Sequence, residues 1–322
     1  MPTTTVVSLQ GADLLSLSTL DAAQLAAIFD TAGRTKRDPT PFRQALAGRS
    51  VILLFEKPSL RTRVTFELGP NQMGGTALYF DHSKDRIGQR ESVRDYAKNL
   101  ERWFDLIVAR VYSHAVLEQL AEHASIPVVN ALSDQFHPCQ ALADYLTLIE
   151  QFGGLDRLRG LKLAFVGDGN NVCASLMHGA AILGVQLMVI TPPRYEPEPE
   201  VVAESRRLAE GAGTGGSIDL SNDPAAVKGC RAVYTDSWVS MGDESEAAQR
   251  RKAFARYRVN AALMAKAGAN GDPAKFMHCL PAHRGEEVTD DVIDSPNAVV
   301  YDQAENRLHV QNSLMLHILG AA

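Results

Sequence analysis

The stretch Val51-Ile52-Leu53-Leu54-Phe55, followed by Glu56-Lys57-Pro58 and then Ser59-Leu60-Arg61-Thr62-Arg63, decides how the rest of the chain is read. After Gly48 the pattern becomes a compact, wholly apolar run of strand length, as expected of a strand covered on both faces. The polar segment behind it combines two hydroxyls, a guanidinium and the backbone N–H groups of a helix start. All of these can point at one oxyanion. Alone, an Arg-Thr-Arg triplet is more often an ordinary exposed helix start. Directly behind a buried strand it reads as a phosphate cradle.

Working outward, the same alternation recurs. Asp21-Ala22-Ala23-Gln24 reads as a helix start with a side chain returning from three positions on, and Leu25, Ile28 and Phe29 supply its apolar stripe. Further strands are predicted at 76–81, 106–110 and 127–130, with helices over 91–104 and 115–123. A second series is predicted at 161–166, 187–191, 232–235, 276–280 and 298–301. Between the two lies a strong helix over 138–152, with Pro138 suited to its first position. Pro192, Pro193, Pro197 and Pro199 and the run 211–216 read as surface loops, and an apolar helix at 314–319 closes the chain. The fold class that follows is α/β, with two domains, each a parallel sheet flanked by helices and joined by interdomain helices.

Composition limits the function classes. The chain has 322 residues, enough for two cores, with 45% apolar and 22% charged residues. A net charge of -6 argues against a broad nucleic-acid surface. Cys139, Cys173, Cys230 and Cys279 are scattered, without a CxxC pair, which favours reduced thiols over a disulfide framework or a structural zinc site. Asp13, Asp21 and Asp30 interrupt the first thirty residues, and no apolar run is long enough for a membrane span. The expectation is a cytoplasmic protein with no membrane or nucleic-acid partner.

In open parallel sheets, ligands collect beyond the carboxyl ends of the strands. Several polar clusters fall there: Ser59–Arg63, Arg110, His137 with Gln140, Asn170-Asn171, Asp236 and Cys279. His137 precedes a proline and should sit just outside its helix, where the dipole disfavours protonation and the neutral ring can donate to a carbonyl oxygen. Gly167-Asp168-Gly169-Asn170-Asn171 invites a dinucleotide-binding, oxidoreductase reading, but Val172 stands where the third glycine is wanted. The asparagines suit a polar or zwitterionic substrate instead. Asp236 can pair with a substrate ammonium or, as readily, stabilise its own turn. A buried cysteine at 279 is ordinary core material unless other evidence says otherwise.

Taken in order, Phe55–Arg63, Ala109-Arg110-Val111-Tyr112, His137-Pro138-Cys139-Gln140, Gly167–Asn171, Asp236–Gly242, His278-Cys279-Leu280-Pro281 and Ala304-Glu305-Asn306-Arg307 resemble the aspartate/ornithine carbamoyltransferase family over nearly the whole chain. The Asp236–Gly242 loop and the His278–Pro281 segment resemble its ornithine branch. The resemblance implies transfer of the carbamoyl group of carbamoyl phosphate to the δ-amine of L-ornithine, giving citrulline and phosphate, as in arginine biosynthesis. It implies no cofactor and no metal. Alternatives within it are a related amine acceptor, acetylornithine or putrescine, or a non-catalytic regulatory relative.

Residue by residue, it implies that Ser59, Leu60 through its backbone, Arg61 and Thr62 hold the phosphate. Arg110, His137, Gln140 and Thr62 would hold and polarise the carbamoyl group. Asn171, Asp236, Ser240 and Met241 would fix the amino-acid end of ornithine, with Cys279 and Leu280 beside the attacking amine and Arg307 near the reacting centre. Arg110, His137, Cys279 and Arg307 are thus the expected catalytic set. Residues 1–136 would bind carbamoyl phosphate, 137–306 would bind ornithine, and helix 307–322 would pack back on the first domain, in a homotrimer or a multiple of trimers. Two positions depart from the family pattern. Leu60 replaces a common threonine, and Arg86 stands where relatives often carry a glutamine that reaches carbamoyl phosphate, so Arg86 is a candidate ligand.

Overall fold

The computed structural model describes residues 8–239, 244–269 and 271–322. Two compact units are present: Met1–Ala143 with Glu305–Ala322, and Asp144–Ala304. In chain order, the first unit contains α1 (Ala22–Arg37), β1 (Ser50–Phe55), α2 (Leu60–Gln72), β2 (Thr76–Asp81), α3 (Val93–Leu100), β3 (Leu106–Arg110), α4 (His114–His123) and β4 (Val128–Leu132). The chain leaves that unit within α5 (Pro138–Phe152). The second unit then holds β5 (Lys162–Val166), α6 (Asn171–Leu183), β6 (Gln186–Ile190), α7 (Pro199–Ala212), β7 (Ser217–Ser221), β8 (Ala232–Thr235), α8 (Ala247–Phe254), α9 (Ala261–Lys266), β9 (Lys275–His278) and α10 (Asp290–Ile293). Helix α11 (Val300–Ile318) closes the chain, and its residues from Glu305 on belong to the first unit.

Both sheets are parallel, with strand order β2-β1-β3-β4 in the first unit and β7-β6-β5-β8-β9 in the second. Parallel strands covered by helices lose water on both faces, which is why β1, β3 and β4 are apolar nearly throughout and almost wholly buried. Ile52, Leu54, Ile107, Val128, Leu117 and Leu120 form one such core, and Ala164, Val166, Val233, Phe276 and Val288 form its counterpart in the second unit. Each fully buried Leu, Ile or Phe contributes about 1.5–3 kcal/mol.

The helix ends show why the chain turns where it does. Asp21 and Gln24 form the reciprocal cap expected at α1, with bonds of 2.7 and 2.9 Å. Asn170 caps α6 through its Oδ1, which accepts from the N–H groups of Val172 and Cys173. That helix stops at Gly184, whose φ of 82° is left-handed and suits glycine.

Several predicted elements differ from those observed. Residues 298–301 form no strand. Phe276 binds Asn297 O and Val299 N at 2.9 Å each, a single bridge, after which Val300 begins α11. The closing helix therefore starts well before 314. Strand β9 ends at His278 rather than 280, because Leu280 adopts a left-handed φ of 59°. Helix α3 is shorter than 91–104, starting after its cap Ser92 and ending at Leu100. Strand β4 begins after Pro127, which lacks an N–H and gives only its carbonyl, to Ile107. Strand β7 escaped prediction because Ser-Ile-Asp-Leu-Ser is an edge strand with only Ile218 well buried. Gly211 and Ala212 belong to α7, which Gly213 ends, so the loop is shorter than 211–216, and Pro199 starts that helix.

Gly179 on α6 shows how closely the second unit is packed. A Cβ there would fall 2.2 Å from Cε2 of Tyr145, whose ring is pinned by a 2.6 Å bond from its hydroxyl to Leu176 O. Gly179→Ala should therefore lower the unfolding free energy by about 1–3 kcal/mol, seen as a lower urea midpoint. An unchanged midpoint would mean that the Tyr145 ring can move aside.

Candidate functional site

In the first unit, β1 is followed by β2 on one side, and β3 then joins its other side. This reversal leaves a crevice beyond the ends of β1 and β3, the usual ligand position in such sheets. The segment after β1 is Glu56–Ser59. Arg110, the last residue of β3, pairs with Phe55 in register, and its carbonyl accepts from Glu56 N at 2.9 Å. Ser59 caps α2, its hydroxyl oxygen accepting from Thr62 N at 3.3 Å. The early N–H groups of α2, including that of Leu60, open toward the helix's positive end. The Leu60 side chain is 74% exposed, so only its backbone is placed to serve a ligand there.

Thr62 is fully buried, and Arg307 reaches it from α11. One guanidinium nitrogen of Arg307 donates to Thr62 Oγ1 and another to Gln140 Oε1 at 2.9 Å. His137 stands just before α5 and is buried beside Arg307 and Arg110. Loss of water and then those two positive charges hold its imidazole well below the usual histidine range, so the ring is neutral. Thr62, Arg110, His137, Gln140 and Arg307 thus form one cluster of donors, built from four separate elements. Arg61, half-buried, follows Leu60 in the first turn of α2. Cys139, within the same motif, is fully buried and its thiol is pushed up to about 12 by burial, so it acts as core.

Arg86 is exposed and lies outside this cluster as described. Its guanidinium stacks 4.0 Å from the centre of the Tyr112 ring, which Lys57 also approaches, at 4.4 Å. The segment carrying Arg86 is tied down by Glu56, a buried carboxylate that accepts from Ile87 N at 2.9 Å and Tyr112 N at 2.8 Å. Nothing in the sequence marked Glu56 as more than a neighbour of the cradle.

The second unit repeats the logic. Strands β6 and β7 lie to one side of β5, and β8 joins the other, so the reversal falls between β5 and β8. Gly167–Asn171 follows β5 and Asp236 follows β8. The two loops meet through Asn170 Nδ2, which donates to Asp236 Oδ2 at 2.8 Å. Asp236 Oδ1 accepts from Ser237 N at 2.8 Å and from the Cys279 thiol at 2.9 Å. Asp236 thus stabilises its own turn, as one of its two readings expected, and is also the acidic centre of a polar cluster. Asn171 opens α6 beside it. Gly169 is required by close chain approach, since a Cβ there would lie 2.2 Å from Pro197 N. Ser240 and Met241 lie outside the described residues.

His278 orders the segment after β9. Its Nδ1 accepts from Leu280 N at 2.8 Å, so its Nε2 carries the proton and donates to buried Glu287 at 3.2 Å. Burial pushes the Glu287 carboxyl up, but its bonds from His278 and His283 N leave it below the ordinary value. The backbone N–H of His278 is held by Gln303, which in turn donates to Asp144 at 2.9 Å. The Leu280 N–H is thereby engaged within the segment itself. Sequence reasoning singled out Asn170 only as a possible substrate amide, not as the helix cap that holds Asp236, and it missed Glu287 and Gln303. Asp236, His278 and Cys279 bring three donor atoms within 4.8 Å of one another. Both nitrogens of His278 are already bonded and the thiol is protonated, which favours a hydrogen-bonded chain over a metal centre.

The aspartate/ornithine carbamoyltransferase carbamoyl-P binding domain matches residues 12–150, and the Asp/Orn binding domain of the same family matches residues 159–318. An ornithine carbamoyltransferase of Shewanella oneidensis is 52% identical over 95% of this chain and 99% of its own length. The chain belongs to this carbamoyltransferase family. Among family members, the ornithine carbamoyltransferase of Thermococcus kodakarensis is 48% identical over 98% of each chain. The solved ornithine carbamoyltransferase of Pyrococcus furiosus has a TM-score of 0.91 at 47% identity, covering 98% of this chain and 99% of that one. That of Thermus thermophilus has a TM-score of 0.83 at 44% identity, covering 95% and 98%.

Loss of water and the neighbouring Asp236 carboxylate hold the Cys279 thiol well above the ordinary range. The thiol therefore stays protonated as pH rises past about 8.5, where a free cysteine is half ionised. Alkylation of Cys279 by iodoacetamide near that pH should be slow and should accelerate in Asp236→Asn. Alkylation of the unaltered protein at an ordinary thiol rate would contradict the contact.

Proposed function

We propose that this protein is an ornithine carbamoyltransferase, transferring the carbamoyl group of carbamoyl phosphate to the δ-amine of L-ornithine. The observation that carries the choice of acceptor is the Asp236–Cys279 contact, 2.9 Å long with an uncharged thiol. It leaves net negative charge where the acceptor is expected, which suits the ammonium of a basic amino acid and repels a dicarboxylic one. Relatives that match nearly end to end carry the same name.

In this reading, Ser59, the Leu60 backbone, Arg61 and Thr62 hold the phosphate, and Arg110, His137, Gln140 and Thr62 hold the carbamoyl oxygen and nitrogen. Ornithine's side-chain ammonium, with a reference pKa of about 10 by analogy with lysine, must lose a proton before it can attack. The neutral amine adds to the carbonyl carbon, and the oxyanion that forms is stabilised by Arg110, neutral His137 and Thr62. Collapse of the tetrahedral intermediate breaks the carbon–oxygen bond to phosphate, and the leaving phosphate takes the nitrogen's surplus proton. Asn171 and Asp236, with Ser240 and Met241 as sequence-based candidates, fix the amino-acid end. Cys279 and the Leu280 carbonyl face the amine, and Arg307 fixes Thr62 and Gln140. Arg86 is retained as a ligand contributed near a subunit boundary. The proposed setting is cytoplasmic arginine biosynthesis.

A homotrimer is part of the proposal. It is supported by exposed Leu60, Val64 and Leu68 on α2, and by Leu78 and Phe80 on the edge strand β2. Apolar side chains grouped on an unpaired sheet edge and its neighbouring helix are what an oligomer would cover.

The test is citrulline formation with ornithine, acetylornithine, putrescine and aspartate supplied separately. Ornithine should be strongly preferred. Asp236→Ala should raise its KM roughly ten- to hundred-fold, from the loss of about 1.5–3 kcal/mol of charged hydrogen bonding. Arg61→Ala should chiefly weaken carbamoyl phosphate binding, and His137→Ala should lower kcat by about 10²–10³. Preference for another amine would overturn the acceptor, and binding of carbamoyl phosphate without any turnover would favour a non-catalytic relative.

A further inference from the structure

Glu56 is a buried acid, 2% exposed, that takes no direct part in the proposed reaction. It is the first residue after β1 and stands three positions before Ser59. The ends of three strands meet around it. Glu56 N donates to Arg110 O at 2.9 Å, which joins the ends of β1 and β3. His82 N donates to Phe55 O at 2.7 Å, which joins the end of β2 to that of β1.

The carboxylate adds a tie through each of its oxygens. Oε2 accepts from Tyr112 N at 2.8 Å, two residues beyond Arg110. Oε1 accepts from Ile87 N at 2.9 Å, in the segment after β2, and this second bond fixes the carboxylate in place for the first. A carboxylate suits the position because both of its oxygens accept. A glutamine of the same shape could accept from one backbone N–H and would set its own amide donors against the other.

The consequence falls on spacing. Ser59, Leu60, Arg61 and Thr62 follow Glu56 in one continuous segment, whereas Arg110 comes from β3. Glu56 is joined to both, to the first through the chain and to the second through its backbone and its carboxylate. We infer, on the proposed reading of this unit as the carbamoyl phosphate site, that Glu56 is a positioning residue which sets the distance between the phosphate cradle and Arg110. It touches no reacting atom and acts through the backbone that carries the ligands. A ligand confined to the cradle is indifferent to that distance. A ligand that must reach both the cradle and Arg110 is sensitive to it.

The test is calorimetric titration of the full-length protein with carbamoyl phosphate and, separately, with inorganic phosphate, comparing Glu56→Gln with the unaltered chain. Carbamoyl phosphate should bind the variant about tenfold more weakly or worse, since a displacement of about 1 Å between groups that share a ligand is enough for such a loss. Inorganic phosphate, held by the cradle alone, should bind as it does in the unaltered chain. Glu56→Asp keeps both acceptors but shortens their reach. It should show the same split, and it carries the test if the glutamine variant does not fold. Unchanged affinity for carbamoyl phosphate would overturn the assignment, leaving Glu56 a purely structural acid. Equal loss of both ligands would overturn it as well. Failure of the unaltered chain to bind carbamoyl phosphate would instead overturn the proposed function, and the role of Glu56 with it.

Discussion

The Arg307 guanidinium is the constraint on which the first unit's polar cluster depends. It comes from the C-terminal helix and reaches Thr62 at the start of α2 and Gln140 in the first turn of α5. Three segments distant in sequence are thereby fixed to one planar, permanently charged group. A guanidinium suits this role because its donors leave in fixed directions and it cannot lose its proton. Its charge also helps keep His137 neutral, with Arg110 and the loss of water acting the same way. A neutral imidazole beside two buried guanidiniums presents donors to an incoming oxygen, in a region whose positive charge favours an anion.

The second unit makes the opposite electrostatic choice with the same topology. In each sheet the strand order reverses beside the first strand, and the polar residues lie beyond the strand ends at that reversal. There, Asp236 gathers Asn170, its own turn and the Cys279 thiol around a carboxylate. Behind it, His278 is ordered on both nitrogens, and Gln303 and Asp144 hold the backbone of the same strand. One unit thus gathers cations and neutral donors, suited to a phosphate in the proposed reaction, and the other a carboxylate, suited there to an amine. That division of charge is the physical content of the proposed reaction.

Much of this was legible in the sequence where a local rule applied. Apolar runs with turn signals marked β1, β2, β3 and β8, the Asp21–Gln24 pair marked α1, and Pro138 marked the start of α5. Residues 298–301 misled because four apolar residues fit a short strand and a helix start equally well. Strand β7 carried too little apolar surface to be seen. The individual residues around Ser59, His137 and Asp236 were visible as chemistry at predicted strand ends. Their connections were not visible: Arg307 with Thr62 spans 245 positions, and Glu56 with Tyr112 spans 56. Glu56, Asn170 and Glu287 act by holding backbone or other side chains, a role that residue type and spacing do not reveal.

The central claim is that Thr62 and Arg307 act as one unit in holding carbamoyl phosphate. Calorimetric titration of carbamoyl phosphate into the unaltered protein, Thr62→Val, Arg307→Lys and the double variant tests it most directly. Each single change should weaken binding at least tenfold. The double variant should lose less than the sum, with a coupling of about 0.5–3 kcal/mol, as expected of groups in one hydrogen-bonded network. Wild-type affinity in either single variant, or losses that simply add, would contradict the account.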